Sequence, residues 1–214
     1  MANSDFRATI NRQRRAGVLL HPTSFPGPYG LGDFGHEAYR FIEFLAAHGF
    51  KVWQMLPLGP THEDGSPYQC LSSHAGNPLL ISLDWLVDKT WLDLGEINLS
   101  ISDVGFRSTC LRYAATAFYQ AEDASLKNDI DAFIEENAHW LHDFALFVSL
   151  KNKYNKKPWY EWPQDLVERN KKTLSRAKKE LVAEIDQVIF EQYIFFKQWH
   201  EIRDYAKQHG VELF

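Results

Sequence analysis

The sequence predicts an α/β fold, helix-rich overall, and three observations predict it. Two short continuous apolar runs, Gly17-Val18-Leu19-Leu20-His21 and Lys51-Val52-Trp53-Gln54-Met55-Leu56-Pro57-Leu58, flank a stretch of helical periodicity. From Ser102 to Lys207 the pattern is almost entirely helical, and Val211-Glu212-Leu213-Phe214 then opens a third apolar run. Short apolar runs bounded by breakers suit strands buried on both faces. Strand, helix and strand within about forty residues make a βαβ unit, which implies parallel strands and a right-handed crossover.

The elements follow in order. The first strand stops at Pro22, and a loop rich in breakers comes next: Pro26, Gly27, Pro28, Gly30, Gly32 and Gly35. Asp33 can cap a helix running to about His48, with Gly49 placed to end it. Ala38, Phe41, Ile42 and Leu45 give that helix its apolar stripe. After Pro60, residues 61 to 80 form a long polar loop punctuated by Gly65, Pro67, Gly76 and Pro78. Further helices are expected over roughly 103–121 (Val104, Leu111, Ala115, Phe118), 128–152 (Phe133, Trp140, Phe144, Phe147) and 174–208 (Leu181, Ile185, Phe195, Trp199, Ile202). Pro163 interrupts the second and third, because it lacks the donor a helix interior needs. A buried parallel strand needs neighbours on both sides, so Phe214 reads as a truncation point and not as a domain boundary.

Composition narrows the function. The 214 residues carry 45% hydrophobic and 24% charged side chains, as an ordinary globular protein does. The net charge of −5 argues against nucleic acid as a partner, since a phosphate-binding surface needs a basic excess. Asn170-Lys171-Lys172 and Arg176-Ala177-Lys178-Lys179 read as a solvated helix face. Cys70 and Cys110 have no metal-ligand spacing and fit a reduced, cytoplasmic setting. Neither a signal peptide nor a run approaching the roughly 18 apolar residues of a membrane span is present, so no membrane partner is expected. Aromatics are abundant, and each can fill the core or offer a flat face to a sugar.

The stretch Arg15-Ala16-Gly17-Val18-Leu19-Leu20-His21-Pro22-Thr23-Ser24-Phe25-Pro26-Gly27-Pro28-Tyr29-Gly30-Leu31-Gly32-Asp33-Phe34-Gly35 resembles the opening strand and glycine-rich loop of the 4-α-glucanotransferases, the amylomaltase or disproportionating-enzyme family. The likeness continues through Gly49-Phe50-Lys51-Val52-Trp53-Gln54-Met55-Leu56-Pro57-Leu58-Gly59-Pro60, Ser66-Pro67-Tyr68-Gln69 and Ala75-Gly76-Asn77-Pro78-Leu79. Trp140 to Phe147 and Gln198-Trp199 extend it nearly to the end. The resemblance implies the amino-terminal portion of a (β/α)8 (TIM) barrel with a large, mainly α-helical insertion. On that reading residues 1–60 are the first βαβ unit, 61–101 the active-site loop and connection, 102–208 the insertion, and 209–214 the start of the next barrel strand. It implies transfer of α-1,4-glucan segments through a glycosyl-enzyme intermediate, with no metal or organic cofactor. The implied partners are a maltooligosaccharide substrate and the remainder of the barrel.

Barrels of parallel strands meet their ligands on the loops at the strands' carboxyl ends. The loop after the second strand should therefore face the site. By resemblance, Tyr68 matches a tyrosine that stacks near the scissile bond; without the resemblance it reads as a half-buried turn aromatic. Ser66, Gln69 and Asn77 can each hydrogen-bond a sugar hydroxyl or satisfy their own backbone. His21 can contact sugar or serve structure. Glu63 and Asp64 form a carboxylate pair, but neighbours in a polar loop are poorly held for a retaining transfer, which needs two carboxyl groups roughly 5–5.5 Å apart. Some relatives carry an aromatic residue where Glu63 stands. The family's catalytic carboxylates belong to later strands, so no catalytic residue is expected here, and this chain alone is expected to be inactive.

Overall fold

The computed structural model describes residues 14–62, 64–103 and 105–214. Its sheet is small and wholly parallel, with β1 (Gly17–Leu19), β2 (Val52–Gln54) and β3 (Glu212–Leu213) side by side in that order. Gly17 pairs with Val52, and Val52 with Glu212, so Val18, Trp53 and Leu213 share one face. That face is covered. Trp53 is fully buried, with the rings of Phe25 and Phe41 at 5.7 and 5.2 Å, and its indole N–H donates to the Leu20 carbonyl at 2.8 Å. The opposite face leaves Leu19 55% and Phe214 81% exposed, with exposed Gln54 between them. Each strand is shorter than its apolar run, which Pro22 and Pro57 close by withholding a ladder donor.

The first helix, α1 (His36–Ala47), connects β1 to β2 as expected, and buries Ala38, Ile42 and Leu45. Gly49, at φ +76°, takes the left-handed turn that ends it. Asp33 is not its cap. Gly35 holds that position, where a Cβ would lie 2.9 Å from Ser82 Oγ, so no residue with a capping side chain fits. Asp33 instead accepts the Gly35 N–H at 2.9 Å and pairs with Arg107 at 3.0 Å.

Among the described residues seven more α-helices follow: α2 (Leu83–Asp88), α3 (Phe106–Gln120), α4 (Ala124–Glu136), α5 (Leu141–Lys153), α6 (Gln164–Val167), α7 (Lys171–Glu180) and α8 (Val182–Gln208). The expected 128–152 helix is two. Asn137 closes the first by donating to the Phe133 carbonyl at 2.9 Å and accepting the Trp140 indole N–H at 3.0 Å. The expected 174–208 helix also divides, at Leu181. Ala177 and Leu181 pack with Leu146, Leu150, Trp162 and Leu166 in a small second core, whereas α8 serves the main one. The helix expected from 103 starts at Phe106, and Val104 lies outside the described residues.

Residues Phe190, Ile194 and Ile202 of α8 are fully buried, and α8 packs against α1, α3, α5 and β3. The sheet, α1 to α5 and α8 thus share one continuous core, and α6 and α7 pack in the second. Among the described residues, no helix is long and apolar enough to cross a membrane.

Candidate functional site

Past Gln54 the chain enters Met55–Gly59 and then the loop that carries Tyr68. A hollow of about 680 Å³ opens there, at the carboxyl ends of β2 and β3. Its walls come from Met55–Gly59 behind β2, from Leu213 and Phe214 at β3, from the loop, chiefly its returning leg Ser72–Gly76, and from Phe195, Phe196 and Trp199 on α8. Tyr68 stands at the rim, 74% exposed. A cavity with aromatic and aliphatic walls and a protruding phenol suits a ligand with flat apolar faces and peripheral hydroxyls. No aspartate or glutamate is among the described residues that line it.

The loop is tied into a definite shape. The Asn77 N–H donates to the Leu58 carbonyl at 2.8 Å and closes its base. Thr61 and Cys70 form an antiparallel bridge, and the Gln69 N–H reaches the Ser66 carbonyl at 3.2 Å across the tip. Ser66, Tyr68 and Gln69 make no side-chain hydrogen bond among the described residues, and of the three only Tyr68 lines the hollow. Asn77 differs. It is buried, its carboxamide oxygen accepts the Leu79 N–H at 3.0 Å, and it lines a separate cleft behind the loop.

His21 lies where β1 ends. Its Nδ1 is 2.7 Å from Thr23 Oγ1 and accepts the Thr23 N–H, leaving Nε2 buried without a partner among the described residues. Burial holds its pKa below the ordinary imidazole value, partly offset by the Pro57 carbonyl. Of the weighed carboxylate pair, Asp64 is exposed and accepts the Ser66 N–H at 3.1 Å, while Glu63 lies outside the described residues. No cluster with metal-ligand composition occurs among the described residues.

Three residues escaped sequence reasoning. Gln192 and Gln198 sit in the apolar stripe of α8 and are almost fully buried. Glu191 lines the second cleft, of about 1070 Å³, beside Trp159 and Tyr160. Burial lifts its carboxyl to about 7, against the smaller pull of Gln187, which donates at 2.9 Å, and of Lys156. The available signal was their placement: polar residues at core positions must find partners.

A family profile described as 4-alpha-glucanotransferase matches residues 20–214. The chain is 37% identical to the 4-alpha-glucanotransferase, chloroplastic/amyloplastic, of Solanum tuberosum, over 95% of this chain and 38% of that protein. It is 38% identical to the 4-alpha-glucanotransferase of Thermus thermophilus, over 94% and 41%. The fold superposes on the amylomaltase from Streptococcus agalactiae, solved in complex with acarbose, with a TM-score of 0.88 and 33% identity over 94% of this chain and 42% of that one. The amylomaltase from Corynebacterium glutamicum shares the fold at a TM-score of 0.65 and 15% identity. The chain thus spans about two-fifths of the length of the curated relatives it matches.

Proposed function

The chain belongs to the 4-alpha-glucanotransferase family, and from that membership we propose that its protein transfers α-1,4-glucan segments between maltodextrins. The observation that carries the proposal is the hollow at the carboxyl ends of the parallel strands, with Tyr68 at its rim. Ligands of parallel α/β barrels gather at that end. We take residues 1–60 as the first βαβ unit of such a barrel, 61–101 as its loop and connection, 102–208 as a helical insertion and 209–214 as the next barrel strand. The remainder of the barrel would cover the face of Leu19, Gln54 and Phe214.

Within the site, the Tyr68 ring covers the apolar face of a glucose unit, and Ser66 and Gln69 hydrogen-bond its hydroxyls. Asn77, with its oxygen engaged, reaches a glucan only through its amide N–H, from the cleft behind the loop. Transfer with retention needs a carboxylate nucleophile and a carboxylic acid about 5–5.5 Å apart. No aspartate or glutamate is among the described residues that line the hollow, and the 214-residue chain by itself is proposed not to carry out the transfer, the carboxylates coming from the remainder of the barrel. That same composition favours, for this chain in isolation, a second reading as a glucan-binding module. Two unpaired cysteines, Cys70 and Cys110, agree with a reducing, cytoplasmic setting.

The test is incubation with maltotriose, scored for glucose and longer maltodextrins. The polypeptide in its full natural length should disproportionate the trisaccharide, and the 214-residue chain should not. No disproportionation by the full-length protein would refute the transferase reading; turnover by the 214 residues alone would refute their incompetence.

A further inference from the structure

The loop between Leu58 and Asn77 has bonds that fix its shape and few that fix its direction. The Leu71 N–H donates to the Pro60 carbonyl at 2.8 Å, the Cys70 thiol to the Pro67 carbonyl at 3.2 Å, and Ser72 Oγ accepts the N–H groups of His74 and Ala75. All of these lie within the loop, and a lobe so built can still swing about its base. Among the described residues its returning leg meets the helical part through apolar contacts and through one set of polar ones. The His74 ring lies over Trp140, with centroids 6.0 Å apart and 17° between planes, and edge-on to His139 at 5.6 Å, while Ala75 is buried in the main core. The polar contact is a pair of buried hydrogen bonds from a single side chain.

Gln192 accepts the Gly76 N–H at 2.8 Å and donates to the Gly76 carbonyl at 3.0 Å. The carboxamide thereby treats one loop residue as a strand treats its neighbour. Gly76 is pressed so closely on α8 that a Cβ there would stand 2.0 Å from the Phe195 ring. Phe195 is also a wall of the hollow. Six residues along the helix, Gln198 makes the same clasp on Ser82, at 2.8 and 3.2 Å, six residues along the chain from Gly76. Ser82 caps α2 and lines no part of the hollow, so the second clasp is a built-in comparison for the first.

We propose that Gln192 is a positioning residue, which holds the returning leg of the loop on Phe195 and so sets Tyr68 over the sugar hollow. The proposal rests on the reading of Tyr68 as a glucan contact. Removing the carboxamide leaves two buried backbone groups unpaired, and the leg relieves that by lifting toward water. A displacement of about 1 Å at a reacting site costs up to roughly 10²-fold in rate.

The experiment uses the full-length protein and pairs Gln192→Leu with Gln198→Leu. Amide hydrogen exchange over residues 66–76 should accelerate about tenfold or more in Gln192→Leu and stay unchanged in Gln198→Leu. Maltotriose kcat/KM should fall about 10- to 100-fold in the first and stay within about twofold in the second, although both lower the melting temperature. Gln192→Glu guards against a misfolded leucine variant. Its protonated carboxyl can both donate and accept, whereas its carboxylate sets oxygen against the Gly76 carbonyl. Both loop protection and kcat/KM should then fall with rising pH relative to wild type. Wild-type exchange and turnover in Gln192→Leu, or equal loss in both leucine variants, would overturn the proposal. If the wild-type protein disproportionates nothing, the transferase reading fails separately, and hydrogen exchange still decides whether Gln192 holds the loop.

Discussion

A carboxyl group taken out of water with only a weak pull from a neighbouring cation keeps its proton to higher pH, and Glu191, with Lys156 nearby, is in that position. Its pKa stands at about 7 against 4.5 for a free side chain. Between those values the folded protein holds a proton that the unfolded chain has released, so stability falls as pH rises from about 4.5 to about 7 and then levels. Glu191→Gln keeps the shape and cannot ionise. It should flatten that slope and raise the melting temperature at pH 8 by several degrees, with little change at pH 4.5; thermal melts at the two pH values check this. Tyr68 poses the opposite case, a side chain with almost no folded-state role. Tyr68→Ala in the full-length protein should lower kcat/KM about tenfold or more and leave the melting temperature within about a degree, because the ring is 74% exposed. Tyr68→Phe should retain most activity if stacking dominates. Full activity in Tyr68→Ala, or loss only through unfolding, would remove Tyr68 from the sugar site. The place of Tyr68 in the polar loop after β2 was legible, through the Ser66-Pro67-Tyr68-Gln69 stretch that carries the resemblance, while its contact with sugar is a proposal. Gln192 and Glu191 were not legible, since periodicity reports which face a residue occupies and says nothing of its hydrogen-bond partner.

Between elements, the same limit decides what could be read. The βαβ order, the parallel pairing of β1 with β2 and the crossing by α1 followed from apolar runs and glycine stops, which act locally. The divisions at Asn137 and Leu181 did not. Neither is marked by proline or glycine, and Leu181 lies where the chain passes from the smaller core to the larger. Asp33 was misplaced as a cap for a related reason: its strongest partner, Arg107, is 74 residues away. Gly76 shows how tertiary contact gives a residue type its meaning. Its φ is not in the left-handed region, so it is required by space and not by backbone freedom. Gly76→Ala must move either Phe195 or the loop, and overpacking of this kind costs about 1–3 kcal/mol. Denaturant unfolding should show that loss, and an alanine tolerated at wild-type stability would mean that the leg does not lie on Phe195.

For the molecule as a whole, the sheet sets the main tension. Wholly parallel sheets are covered on both faces, because every strand-to-strand connection returns across one of them. Here α1 and α8 cover the face of Val18, Trp53 and Leu213, while the face of Leu19, Gln54 and Phe214 is open among the described residues. Among the described residues β1 and β3 also each have one edge without a neighbouring strand, and an exposed edge beside exposed apolar side chains is a template for another chain. A net charge of −5 opposes such contact only over the ~8 Å that physiological salt leaves unscreened. The 214-residue chain, purified alone, should therefore bind an apolar-surface dye and self-associate as its concentration rises. Leu19→Lys combined with Phe214→Lys should suppress both effects while the far-ultraviolet circular dichroism keeps its helical form, since neither side chain belongs to the covered core. Sedimentation of the two proteins over a concentration series separates the outcomes. A monomeric, dye-silent wild-type chain would mean that this face is already covered within its own residues, and the barrel reading would then lack the open surface it needs for the remaining strands.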